Sequence, residues 1–197
     1  MLGLFRKDFY QMLKYQRVLM LIVVIFAAAS AKNVNNAFFT VYPAVIAGLS
    51  MVTLQSYDEQ GGFSCYSSVM PISQKVIVGE KYLFGTGMIL LVAVIEAISF
   101  LIFQNSVLDA VRSICFIASA GLLFLSLFLP FIFALGVERG RTAYLIAMGT
   151  FCALTLLIRD QLTNVPTITL WAALILGAVL TAISYAVSVV AYGKRSF

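Results

Sequence analysis

The chain contains no histidine, and only 11% of its 197 residues are charged. The first absence removes the side chain that most often serves as a base or metal ligand near neutral pH. The second removes the surface a water-soluble globule needs, since soluble domains carry about 25% charged residues. Cysteine is scarce as well. Cys65, Cys115 and Cys152 stand far apart, odd in number and without C-x-x-C spacing. That pattern argues against a disulfide framework and, without histidine, against a zinc site. No G-x-x-x-x-G-K-[ST] phosphate loop occurs, and no two carboxylates lie at one depth to share acid–base work. The chain is expected not to be an enzyme and to bind no cofactor of its own. Its basic residues are not interleaved with aromatics along a run, so nucleic-acid binding is not expected either.

What the sequence has is hydrocarbon: 62% of residues are hydrophobic. Lipid is therefore the expected solvent, and every lipid-exposed segment must be helical to satisfy its own backbone. Six segments approach the roughly 20 apolar residues that a span requires: 18–31, 38–57, 82–103, 111–136, 142–158 and 167–192. The expected fold is an all-α polytopic membrane protein of six transmembrane helices, one domain over 1–197. The first segment ends in Ala29-Ser30-Ala31, a small-x-small pattern like a signal-peptide cleavage site. The long segment before it, with Asp8, and the spans after it argue against cleavage.

Lys and Arg near span ends set orientation. With the N-terminus inside, Arg6, Lys7, Lys14, Arg17, Lys75, Lys81, Arg139, Arg141, Lys194 and Arg195 fall on the inner side, against Lys32, Arg112 and Arg159 outside. Both termini are then expected in the cytoplasm. The outer connections are short, whereas 58–81 is long, polar and cytoplasmic.

Several features carry two readings. In "LFRKDFYQMLKYQR", Phe5, Phe9, Met12 and Leu13 share one helical face among the cations. This is either an amphipathic helix lying at the inner leaflet or a basic flank that only sets topology. After Gly61-Gly62, the residues Phe63, Tyr66, Val69 and Met70 recur at helical spacing, which predicts a short amphipathic surface helix. Pro71 ends it, and Ser73 is placed to cap a further helix running into the third span. Such a jointed protrusion suits a partner subunit; the alternative is an interfacial helix with no partner. Glu96 is the one acid well inside a span. It either lines a translocation path or is a protonated, hydrogen-bonded packing residue. Ala178, Ala182 and Ala186 repeat every four residues, with Ser184 and Ser188 on another face; this points to close packing within the bundle, with a protomer interface as the alternative. "GVERGR" at 136–141 is a G-x-x-x-G by letter, but its charges place it in a cytoplasmic turn.

The stretch "YDEQGGFSCYSSVMPISQKVIVGEKYLFG" resembles the signature region of small bacterial permeases of the ABC type-2 exporter superfamily. An acidic pair, a gap, a Pro-Ile-Ser element and Lys-Tyr opening the third span match at Asp58, Glu59, Pro71, Ile72, Ser73, Lys81 and Tyr82. The start "RKDF", Arg6 to Phe9, is similar too. Gln74-Lys75 departs from the family, which often has a basic residue directly after the Ser or Thr.

The resemblance implies a permease in the bacterial plasma membrane that pairs with a second permease, as a homo- or heterodimer. It implies a separate cytoplasmic ABC ATPase that holds ATP and Mg and docks on the loop. The coupling residues would be Asp58, Glu59, Phe63, Tyr66, Val69, Met70, Pro71, Ile72, Ser73 and Lys75. Lys81 and Tyr82 would mark re-entry into the membrane, and Arg6, Lys7, Asp8 and Phe9 an elbow helix. The expected cargo is hydrophobic or amphipathic, with peptide favoured. Two other classes fit the residues: a six-span substrate-binding subunit of a vitamin importer, with Lys32, Asp109, Arg112, Arg159 and Asp160 as its outer charges, and a non-transporting immunity or scaffold protein.

Overall fold

A computed structural model describes residues 2–32, 37–63, 66, 73–104, 107–137, 142, 145–146, 149–150 and 167–194. Its long elements are all helical: α1 Leu2–Tyr15, α2 Arg17–Lys32, α3 Ala37–Gln60, α4 Gln74–Gln104, α5 Val107–Leu135 and α6 Thr167–Lys194. Three of these, over Gln74–Phe103, Ala110–Ala134 and Thr169–Gly193, are long and apolar enough to cross a membrane; Gly3–Tyr15 and Arg17–Ser30 qualify only as a bent pair. At 16 residues, α2 alone is about 24 Å long, short of a hydrocarbon core of about 30 Å. The fifth expected span, 142–158, lies almost wholly outside the described residues.

α5 is the hub. It packs most extensively on α6, then on α4 and α3, while α2 fills the groove beside α3 and α4. The main core takes Val23 from α2, Ala44 and Ala47 from α3, Ile89 and Val92 from α4, and Ile117, Leu125 and Phe133 from α5. Glycines let α4 and α5 approach closely. A Cβ on Gly121 would sit 2.7 Å from Ile89 Cγ2, and one on Gly85 would meet the Leu125 side chain.

The glycine breakers act as the sequence predicts. The Gly61 N–H bonds the Tyr57 carbonyl at 2.9 Å, and Gly62, at φ 67°, takes the left-handed conformation that ends α3. Gly136, at φ 85°, ends α5 in the same way. Helical backbone resumes at Phe63, where the Tyr66 N–H bonds the Gly62 carbonyl at 3.1 Å. Ser73 stands at the N-cap of α4, its carbonyl accepting from the Val76 N–H at 2.9 Å. The predicted run from Ser73 into the third span is one continuous helix.

α1 and α2 meet at 76°. No proline or glycine marks this bend. Gln16 sits at the corner, and its side-chain amide donates to the Ser50 carbonyl of α3 at 2.9 Å. A tertiary bond thus holds the corner where local sequence does not.

One packing expectation is corrected. Ala178, Ala182 and Ala186 are exposed, and α6 turns Gly177, Ser184, Ser188 and Tyr192 inward instead. Bonding polar groups, described next, set the rotation of this helix in place of the alanine stripe.

Candidate functional site

Three pieces of sequence far apart in the chain converge at one end of the bundle. α1 presents Asp8 and Met12 inward, and Gln16 at the corner continues the four-residue spacing, all three buried. Phe5 anchors the same helix, its ring edge-on to Phe84 of α4 with centroids 5.1 Å apart. The last turn of α3 delivers Asp58, and α4 delivers Glu80 and Lys81.

Lys81 is the centre. Its ammonium, 3% exposed, donates to Asp8 Oδ2 at 2.5 Å and Asp58 Oδ2 at 2.7 Å. Lys7 closes the ring, 2.6 Å from Asp58 Oδ1 and 3.2 Å from Asp8 Oδ1. Gln11 Nε2 adds a longer bond to Asp58 at 3.4 Å. Glu80 Oε2 lies 3.9 Å from Lys81 Nζ, so three carboxyl groups gather around two ammonium groups. Burial pushes the Asp58 carboxyl up, but Lys81 and Lys7 pull it further down, and it rests below its ordinary value. Phe63, at the start of the loop, covers Lys7, whose ammonium lies 3.8 Å from the ring centroid.

Two further ties surround this junction. Glu59 Oε2 accepts the Val137 N–H at 3.1 Å, which joins the end of α3 to the turn after α5. The Tyr82 hydroxyl lies 2.6 Å from Ser184 Oγ and 2.8 Å from Ser188 Oγ, and Ser184 Oγ donates to the Ser126 carbonyl at 2.6 Å. One turn of α4 is thereby pinned to α6 and, through it, to α5. Tyr185 reinforces the clasp by donating to the Lys75 carbonyl at 3.2 Å.

The residues singled out from sequence divide into groups. Lys7, Asp8, Asp58, Phe63 and Lys81 come together. Glu59 and Tyr82 sit at the edge of that junction with the partners given above. Arg6 and Phe9 remain on the outer side of α1, and Tyr66, Ser73 and Lys75 are exposed. Val69, Met70, Pro71 and Ile72 lie outside the described residues. Glu96 is fully buried about 22 Å along α4 from Lys81, at 1.5 Å per residue. Asp58 is thus an internal bonding group in this state, not a displayed one.

Sequence reasoning did not single out Gln11, Glu80 or the pairing of Tyr82 with the α6 serines. The available signal was opposite charge at the ends of neighbouring apolar segments: Lys7-Asp8, Asp58 and Glu80-Lys81 are all expected on the inner side. Among the described residues no cluster of His, Cys, Asp or Glu has the makings of a metal site. The arrangement is an ionic junction that joins α1, the end of α3, the first turns of α4 and Phe63 near the start of the loop.

No curated protein matches the chain significantly. A family model described as "ABC-2 family transporter protein" matches residues 3–193, and the chain therefore belongs to the ABC-2 transporter family, as a multi-pass membrane subunit of an ABC transporter.

Proposed function

We propose that this subunit is one of two permeases of an ATP-driven exporter in a bacterial plasma membrane, and that a separate cytoplasmic ABC ATPase drives it by pushing on the loop between α3 and α4. The observation that carries this reading is the buried ionic junction. It ties both ends of the loop to α1 and seats the loop's first aromatic, Phe63, on Lys7. A force applied at Phe63 and Tyr66 then reaches α1, α3 and α4 together, because breaking any one of these buried contacts is costly. Tyr66, 60% exposed, offers an aromatic anchor of the kind that dominates protein interfaces.

In this reading the chain receives energy and does not itself hydrolyse ATP; ATP and Mg reside on the partner. Both termini are cytoplasmic, in line with the lysine and arginine bias. Cargo moves between paired bundles whose outer walls are apolar, which suits a hydrophobic or amphipathic substrate, an amphipathic peptide first. The test is efflux from vesicles that contain the permease and its ATPase. ATP-dependent loss of a labelled amphipathic peptide, abolished by Tyr66→Ala with Pro71→Ala, is expected. Unchanged efflux in that double variant overturns the coupling assignment.

A further inference from the structure

Glu96 stands apart from every interaction described so far. It is 0% exposed, on the face of α4 that packs against α2, and neither carboxyl oxygen accepts a hydrogen bond of good geometry. The Ser30 hydroxyl of α2 lies beside it as its one hydrogen-bonding neighbour among the described residues. Lys32, one half-turn further, is exposed and holds its ammonium over the Phe103 ring, 5.5 Å from the centroid. Described α3 residues between Ala37 and Tyr57 include no charged group; Tyr42 there stacks on Phe26. On α5, Arg112 is exposed and Cys115 buried, and neither is paired with Glu96. No Lys or Arg among the described residues lies within ion-pair distance of it.

An ionised carboxylate cannot persist in a low-dielectric site where the described residues supply no cation and only the one Ser30 hydroxyl. A proton bound to the carboxyl itself removes that cost without any further partner. We propose that Glu96 is a proton-binding site: it is held as the neutral acid while α2 and α4 are packed together, and its carboxyl O–H bond breaks to give the proton to water when that seam opens. The carboxyl of Glu96 then reports, and biases, separation of α2 from α4. In a transporter this makes one conformational step sensitive to proton concentration, independently of which cargo is carried and of where an ATPase docks.

The experiment uses the full chain in nanodiscs. Infrared spectroscopy of wild type minus Glu96→Gln is expected to show one carboxylic-acid C=O band that persists across neutral pH. A hydrophobic carbodiimide, which reacts with protonated carboxyls in lipid, is expected to modify Glu96 of the wild type, located by peptide mass spectrometry, while a water-soluble carbodiimide does not. Wedging the seam with Ala27→Leu, one turn before Ser30 on the inward stripe of α2, is expected to weaken the band and admit the water-soluble reagent. Absence of the band overturns the proposal, as does equal reaction with both reagents in the wild type. An unchanged band and unchanged reactivity in Ala27→Leu overturn the coupling to seam opening. The reagent comparison needs no substitution, so it decides even where Glu96→Gln does not fold.

Discussion

Replacing Lys81 by methionine keeps the unbranched apolar stem of the side chain and deletes the ammonium that bridges α1, α3 and α4. Two short contacts vanish, at 2.5 Å to Asp8 and 2.7 Å to Asp58, and both carboxylates stay buried. Stripping one partner from a buried ion pair costs about 3–5 kcal/mol. Lys7 remains within 3.2 Å of both carboxylates, which places the expected loss near the lower end, about 3 kcal/mol, or about two powers of ten in the folded-to-unfolded ratio. The assay is reversible unfolding in mixed detergent micelles, followed by circular dichroism. Neutralising the three most deeply buried members with Asp8→Asn, Asp58→Asn and Lys81→Met is expected to recover at least half of that loss, because the half-buried Lys7 can turn its ammonium to water and no unpaired charge is left on these three residues. A loss below about 1 kcal/mol for Lys81→Met, the level of an exposed pair, refutes the reasoning. A triple variant as unstable as the single one refutes it too.

Acid should weaken the same junction. Asp58 titrates below its ordinary value of 3.8, so its contribution is complete above that pH and fades as pH falls through its lowered native value. The unfolding midpoint of the wild type should therefore drop below about pH 4 more steeply than that of Asp58→Asn. Tyr82→Phe removes the hydroxyl shared by Ser184 and Ser188 and should cost about 1 kcal/mol in the same unfolding assay. Ser184 keeps its bond to the Ser126 carbonyl, so Ser188→Ala should add little to Tyr82→Phe; a further large loss contradicts the network. Gly121→Ala drives a methyl into the buried Ile89 side chain and should destabilise by about 1–3 kcal/mol. Gly87→Ala meets nothing within 4 Å and should leave the midpoint level or slightly raised.

Helices were legible where the sequence states its own boundaries. Gly61-Gly62, Gly136 and Ser73 act on local backbone geometry, and local geometry is written in adjacent residues. The corner at Gln16 was not legible, because what fixes it is a bond to Ser50 on another helix, 34 residues away. The same limit explains Lys81 and Asp8. Each reads in sequence as one more charge at a membrane edge, and they join only because α1 folds back across the ends of α3 and α4. The residues could therefore be named from sequence while their mutual contacts could not. The alanine stripe of α6 misled for a related reason. Small residues permit close approach, but Ser184 and Ser188 must bond Tyr82, and that requirement turns the alanines outward.

A nucleotide-hydrolysing partner is proposed to grip the loop between α3 and α4. The most direct measurement of that grip is capture of the partner: the tagged permease, extracted in mild detergent with its candidate ABC ATPase co-expressed, is purified and the retained ATPase quantified. The account expects near-equal amounts of the two subunits from the wild type. It expects strong loss of the ATPase from Tyr66→Ala with Pro71→Ala at an unchanged unfolding midpoint. Retention that is absent in the wild type, with and without nucleotide, or undiminished in the double variant, would contradict it.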